Sequence, residues 1–376
     1  MKYNWQQKDW PHFKYKTEEI EDILHEYVKL SNRDIGIISA LPKDYHDALV
    51  VDFVASEAVK TSAIEGERIS RTDVISSVRK NLGLGETPFV RDPRAKGISE
   101  MLIHNRNNFD APLSHELLYD WHSMLFNSSR ASIDTIGAYR THTEPMQIIS
   151  YGRNMVVDEV HFEAPPSKNV PSEMNSFIDW FNKTAPEMKD EIKHAPIRAA
   201  IAHLYFECVH PFEDGNGRVG RAIAEKALSQ GLGHSVTLSL SETIGKNRKS
   251  YYAALESANK SNEISSWVAY FAQLCLDTQK DAHRKILITL EKVKMFDTFA
   301  SELNSRQTKT LLRLFDKALE GEEASISANK HKKLNDTSKP TASRDMIDLL
   351  KKGIVKQTGG GKYTAYALNI ENHNIT

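Results

Sequence analysis

The stretch His210–Arg221, "HPFEDGNGRVGR", stands between two apolar runs, "IRAAIAHLYFECV" (197–209) and "AIAEKALSQGL" (222–232). Upstream, Ile197, Ile201, Leu204 and Cys208 recur at three- and four-residue steps, and downstream Val219, Ile223 and Ala227 recur at four. Each set lines one face of a helix. Gly215 and Gly217 interrupt any single helix through the gap, while Asn216 tolerates cap and left-handed backbone. The reading is therefore helix, tight loop, helix. A loop that feeds a helix N-terminus presents free N–H groups and the positive end of the helix dipole, which suits a phosphate.

The side chains carry this further. Arg218 and Arg221 fall in a first helical turn, where the dipole disfavours cations, so an anion is expected beside them. Asp214 offers a hard carboxylate oxygen that suits Mg²⁺ shared with a di- or triphosphate. His210 is the one group here whose ordinary titration lies near neutrality, and it suits a general base for a hydroxyl nucleophile. Taken singly, a histidine at a helix end also serves as a cap, Gly-x-Gly as a plain turn, and Arg221 as a partner of Glu225. Base, carboxylate, anion-binding turn and two arginines together point to phosphoryl chemistry. Metal hydrolysis through His210 and Asp214 would need further ligands.

The pattern His-Pro-Phe-x-x-Gly-Asn-Gly-Arg-x-x-Arg, complete here with Asp214 before the first glycine, resembles the signature of Fic-domain enzymes, which transfer AMP from ATP to protein hydroxyls. The resemblance implies a mainly α fold, a helical bundle core with a β-hairpin flap. It implies that His210 deprotonates a Tyr, Thr or Ser hydroxyl of a protein target and that Asp214 carries Mg²⁺. Gly215, Asn216 and Gly217 would hold the α- and β-phosphates, and Arg218 and Arg221 the outer ones. In-line attack with charge neutralisation agrees with the reading from the residues. The phosphate-transferring branch of the superfamily would carry Lys in place of Gly217.

A second stretch, "KTSAIEGERIS" (60–70), ends a helix that Leu49, Phe53 and Val54 begin, with Gly66 as its C′ residue. Glu65 then faces the negative end of that helix, locally unfavourable by up to ~1 kcal/mol unless a cation receives it. Arg68 is one candidate. The segment also resembles the inhibitory motif of Fic proteins through Thr61, Glu65 and Gly66, in the class whose inhibitory helix precedes the core. By that resemblance Glu65 pairs with Arg221 and blocks seating of the ATP γ-phosphate, with self-modification and removal of AMP as further activities.

Two more segments resemble parts of such a site. "GAYRTHTEPMQIISYGRNMVV" (137–157) holds a strand-like run, Met146 to Ser150, and turn residues Tyr151 to Asn154. It resembles the flap that docks a target by strand addition, through Gln147, Ile148, Ile149 and Ser150; these residues also suit an ordinary surface hairpin. "SYYAALESAN" (250–259) resembles the adenine-pocket helix, with Tyr251 and Asn259 as its contacts, although aromatic residues at helical spacing also serve as core.

Composition bounds these readings. The chain has 376 residues, 49 Lys and Arg against 50 Asp and Glu, so charge alone singles out no nucleic-acid, membrane or acidic partner. Its two cysteines, Cys208 and Cys275, sit in apolar helical patterns and argue for a reducing compartment. The start, "MKYNWQQKDWPHF", lacks a signal-peptide pattern, and no apolar run reaches the roughly 20 residues of a membrane span. A cytoplasmic protein, forming a homodimer and not bound to membrane, is expected.

The organisation expected along the chain is an accessory region at 1–45 with Trp5, Trp10 and Phe13 in packing roles, and a Fic domain at 46–280 including the inhibitory helix at about 46–66. "EAPPSKNVPSE" and "LSQGLGHS" mark breaks within that domain. A helical connector at 281–305 leads to a winged-helix-like module at 306–376. There "RQTKTLLRLFDKAL" and "SKPTASRDMIDLLKKGIVKQ" read as helices, the second capped by Ser338 or Thr341, and "GGGKYTAYAL" reads as a turn into a strand. Nine Lys or Arg against three acids lie between Lys330 and Lys362. Ser343, Arg344, Lys351 and Lys352 are candidate DNA contacts, and a protein partner is the equal alternative. An enzyme is expected; the alternative is a DNA-binding regulator that uses the Fic fold as a nucleotide sensor, for which the base His210 would be superfluous.

Overall fold

The computed structural model describes residues 2–85, 88–126, 133–151 and 157–370. The chain divides into two compact units, one of Met1–Ser31 with Val50–Lys280, the other of Asn32–Leu49 with Asp281–Thr376. Thus the accessory region does not stand apart in space. Residues 2–31 belong with the larger unit, and 32–49 with the smaller. The connector is the continuation of one helix, α11 (Ser265–Phe299), the eleventh in chain order.

In the larger unit the centre is α7 (Ala195–Val209), all of whose residues are buried. A helix apolar all round belongs inside a bundle. It packs against α8 (Asn216–Leu232), with α4 (Pro93–Asn107), α5 (His115–Phe126) and α6 (Val170–Lys183) around the pair. Arg198 of α7 enters this core because its charge is met three times, by Thr184 Oγ1, Gln230 Oε1 at 2.9 Å and the carbonyl of Phe181 at 2.7 Å. The N-terminal aromatics pack as the sequence suggests: Trp10 stands edge-on to Phe13 and Tyr205, and Trp5 Nε1 donates to the carbonyl of Glu163.

Local signals end the elements that matter. α4 opens on Asp92, whose carboxylate accepts from the N–H of Arg94, followed by Pro93. α2 (Lys43–Ile64) stops at a left-handed Gly66, φ 82°, and the N–H of Glu67 returns to the carbonyl of Ser62. That is the Schellman closure. Among the described residues one two-stranded sheet accompanies this unit, β1 (Gln147–Tyr151) antiparallel to β2 (Val157–Glu163), with Ile148 opposite Phe162. The strand begins one residue later than expected, Tyr151 belongs to it, and the expected turn residues 152–154 lie outside the described residues.

The smaller unit has the order α12 (Ser305–Leu319), β3 (Ser325–Ile326), α13 (Ala328–Leu334), α14 (Lys339–Lys351), β4 (Val355–Thr358), β5 (Ala365–Leu368), with strand order β3-β5-β4. Here the sequence reading needs correction. It missed β3 and α13, which are short, and it carried the second helix through residues 354–357. Gly353, φ 73°, ends α14, and Ile354 and Val355 are buried at the start of the strand. Ser338, rather than Thr341, caps α14 by accepting from the N–H of Thr341. The core joins Ile288, Leu311, Leu314, Phe315, Met346 and Leu349 with Val355 and Tyr366.

Candidate active site

α7 ends on His210 itself, in the left-handed region at φ 49° and ψ 59°. For a residue with a Cβ this backbone is strained and persists only where the surroundings enforce it. They do. Arg140, 1 % exposed, donates from Nε to the carbonyl of His210 at 2.8 Å and from Nη2 to the carbonyl of Pro165 at 2.6 Å, while its own N–H meets the carbonyl of Pro211. His122 of α5 stacks on Phe212 at 4.2 Å. It accepts from the N–H of Gly137 at Nδ1 and lies 3.3 Å from the carbonyl of Asp214 at Nε2. Burial pushes its titration down to about 4, so the ring is neutral with its proton on Nε2.

The turn is closed from within. Asn216 accepts from the N–H of Phe212 at 2.9 Å and donates to its carbonyl at 2.8 Å. Both ends of its amide are thus spent on the loop, and its contribution to an anion is geometric. Gly215 caps α8 at φ 82°, and a Cβ there would stand 2.8 Å from the ring of Phe126. Glycine is required on both counts. The free N–H groups of the first turn of α8 consequently face out of the loop.

Glu65, just beyond the end of α2, lies against this turn. Its Oε1 is 2.6 Å from Nη2 of Arg221, and Arg221 Nε donates to Thr61 Oγ1 at 2.7 Å. Glu65 is unfavourable at the end of its own helix and favourable at the start of another, and the second position decides. Burial opposes its charge; Arg221, by attraction and hydrogen bond, outweighs that and holds the carboxyl below its ordinary range. The approach needs Gly217, since a Cβ there would collide with Glu65 Oε1. Arg68 is not the cation that receives it.

Arg218, 4 % exposed at its side chain, lies 3.0 Å from Glu67 and 3.7 Å from Asp214. Its Nε and Nη2 make no hydrogen bond, and its guanidinium stands 5.1 Å from the centre of the Phe126 ring. Asp214 has a half-exposed side chain at the loop's rim. One such carboxylate suits an ion whose other ligands are substrate phosphates and water. Among the described residues no group of three or more His, Cys, Asp or Glu is arranged to hold a metal by itself.

Tyr251 and Asn259, expected at an adenine pocket, are both buried. Tyr251 is 1 % exposed, with its hydroxyl 2.6 Å from Nε2 of His203, and Asn259 is buried with Oδ1 accepting from Cys208 Sγ. Tyr252, 39 % exposed, is the tyrosine that opens outward; Arg248 stands over its ring at 5.3 Å, and the charges of Glu65 and Arg221 both bear on its hydroxyl. The flap residues Gln147 and Ile148 are exposed, and β1 has a single partner strand among the described residues.

Comparison with known proteins places this geometry. Residues 112–228 match the Fic/DOC family, and residues 3–84 match a domain of unknown function, DUF4172. The clamp from Glu65 to Arg221 therefore joins the two matched regions. A probable protein adenylyltransferase of Aquifex aeolicus is 33 % identical over 109 residues, 28 % of this chain and 29 % of that protein. The protein adenylyltransferase Fic of Nematostella vectensis is 28 % identical over 142 residues, 38 % of this chain and 30 % of its own length. The chain thus spans less than a third of each of these curated relatives. In fold it resembles a Fic family protein from Desulfovibrio desulfuricans G20, with a TM-score of 0.55 at 18 % identity over 95 % of this chain and 98 % of that one.

Proposed function

With a Fic/DOC-family domain at residues 112–228 as the premise, we propose that this protein is an adenylyltransferase that moves AMP from ATP to a Tyr, Thr or Ser hydroxyl of a protein target and is held off by Glu65. The observation that carries the proposal is the ion pair of Glu65 with Arg221 at 2.6 Å beside the first turn of α8, in a loop that begins at His210.

In this reading His210 takes the proton of the hydroxyl, the oxygen attacks the α-phosphorus in line, and pyrophosphate leaves. The N–H groups of Asn216 and Gly217 receive phosphate oxygens, with Arg218 and Arg221 adding charge. Magnesium, when bound, would neutralise phosphate charge, and Asp214 is the residue suited to hold it. Arg221 cannot meet a γ-phosphate while Glu65 occupies it, and Glu67 occupies Arg218 in the same way. In the same reading Glu65, once released from the clamp, orients water for removing AMP. The edge of β1 that has no partner strand among the described residues, at Gln147, Ile148, Ile149 and Ser150, suits docking of an extended target segment.

A second reading rests on α14, where Lys339, Arg344 and Lys351 are exposed, as a helix entering a DNA major groove would require. Ser343 is half-buried and Lys352 is engaged by Asp348 at 2.7 Å, so these two support it less. The deciding experiment is transfer of label from α-³²P-ATP by the wild type, Glu65→Gly, and Glu65→Gly with His210→Ala. Label that appears on removing Glu65 and vanishes with His210 supports the transferase. Three blanks with ATP still bound favour the regulator.

A further inference from the structure

Glu207 precedes His210 by three residues on α7, and no step of the proposed transfer uses it. Its side chain is 7 % exposed and Oε2 lies 3.7 Å from Nδ1 of His210. Glu207 Oε1 is buried without a hydrogen-bond partner, and the His210 ring meets the backbone of Glu207 as well as its carboxyl group. A Cβ on Gly220 would stand 2.6 Å from Glu207 Oε1 and 3.2 Å from Nδ1 of His203, whose ring meets the Gly220 backbone. Gly220 of α8 is thus the gap into which the carboxyl presses. Buried polar atoms left unpaired lower stability, and such groups are retained where the site uses them. The charged and titratable surroundings are Glu65 after α2, His203 and Cys208 on α7, Arg221 on α8 and Tyr251 on α10 (Arg248–Ala258), with Arg140 and Asp214 acting on His210.

We propose that Glu207 is a positioning residue for the base: it holds the His210 ring from the Nδ1 side and, once ionised, strengthens Nε2 as acceptor of the target hydroxyl's proton. The inference rests on the adenylyl-transfer reading and makes the base of that site a His–Glu pair. Burial, partly offset by Arg221, pushes the carboxyl up to about 8, and burial holds the imidazole down to about 4. Between those values both groups are neutral. Above the higher one a carboxylate stands beside the ring and favours its protonated form. In the step itself the hydroxyl proton passes to Nε2, the oxygen bonds to the α-phosphorus, the bond to pyrophosphate breaks, and the imidazolium charge faces the carboxylate. No further reactant is needed.

The test takes the full chain carrying Glu65→Gly as parent and adds Glu207→Gln or Glu207→Asp. It reads the pH–rate profile of transfer and, independently, an NMR titration of the His210 ring assigned with His210→Ala. The parent is expected to gain about tenfold in kcat through an ionisation that lies below the about 8 of the wild type, because Glu65→Gly removes a charge that raises the Glu207 carboxyl and leaves Arg221 to lower it. Glu207→Gln should lose that limb at unchanged KM for ATP, and Glu207→Asp should keep part of it. In the NMR arm the His210 signal moves with the same ionisation in the parent and stays still in the Gln variant. A parent whose His210 signal shows no such step overturns the inference whatever the variants do, and so does a Gln variant with the parent's profile. A parent that transfers no label sinks the adenylyl-transfer reading, while the titration still decides whether Glu207 and His210 are coupled.

Discussion

Arg221 Nη2 and Glu65 Oε1 meet at 2.6 Å across 156 residues of sequence, and the contact places a carboxylate at the first turn of α8. In the proposed adenylyl-transfer reading this carboxylate stands where a substrate phosphate would meet the helix N-terminus.

Glu65→Gly frees Arg221 and is expected to tighten ATP binding roughly tenfold, the scale of one charge-assisted hydrogen bond, as read by calorimetry. Label transfer should rise in parallel. Adding His210→Ala should cut transfer by about 10²–10⁴ while leaving the gain in binding, since a general base acts on the step and not on the nucleotide.

Gly217→Ala should produce the same release without touching a charge. The new Cβ would occupy the place of Glu65 Oε1, and Gly217 has an ordinary helical backbone that alanine accepts. The expected outcome is a larger rise of Tm on adding ATP than in the wild type. An unchanged rise would show that the carboxylate can retreat without leaving Arg221.

Glu67→Gln tests the second clamp. Glu67 holds Arg218 at 3.0 Å with its side chain 27 % exposed, so a gain of about threefold in ATP affinity is expected, smaller at high salt. In combination with Glu65→Gly the two gains should depart from additivity, measured by the same calorimetry, because Arg218 also acts on Glu65 and both arginines serve one anion site.

Glu65 also predicts how the clamp responds to acid. Its carboxyl titrates below the ordinary 4.5, so the clamp's contribution is complete above that value and is lost as pH falls through the lowered one. The affinity difference between the wild type and Glu65→Gly should therefore be constant from neutrality down to about pH 5 and shrink below the ordinary value.

In the smaller unit Asp345 accepts from Arg306 at 2.8 Å and faces His331 Nε2 at 3.1 Å. Burial opposes its charge, but Arg306, His331 and Asn304 outweigh burial and hold it down to about 2 from 3.8. The folded value is the lower one, so this stabilisation is full above 3.8 and disappears as pH falls towards 2. Asp345→Ala should lower the protection of α12 to α14 against hydrogen exchange at neutral pH, because Arg306 and the buried His331 both lose their acceptor.

The helices on either side of His210 were legible because α7 and α8 carry unbroken apolar patterns, and the loop because two glycines, an asparagine and two arginines have few other uses together. Glu65 was legible only through a resemblance to a motif. That Tyr252 opens outward and Tyr251 does not was illegible, since neighbouring tyrosines look alike in a list and only packing against His203 and Trp267 turns Tyr251 inward. Glu67 gave no signal at all. It follows a left-handed glycine, after which helical spacing no longer says where a side chain goes. The short elements β3 and α13 were missed for a related reason: two and seven residues are too few for a period to emerge.

Sequence alone determined the elements and the reactive loop, because helix periodicity, glycine backbone freedom and the chemistry of histidine, aspartate and arginine act within about a dozen residues. Tertiary structure decided which arginine each acid holds, which tyrosine faces outward and that Glu207 stands behind His210. Those outcomes depend on distances between groups far apart in the chain or on opposite sides of one helix, and only the packing of α2, α7, α8 and α10 sets them.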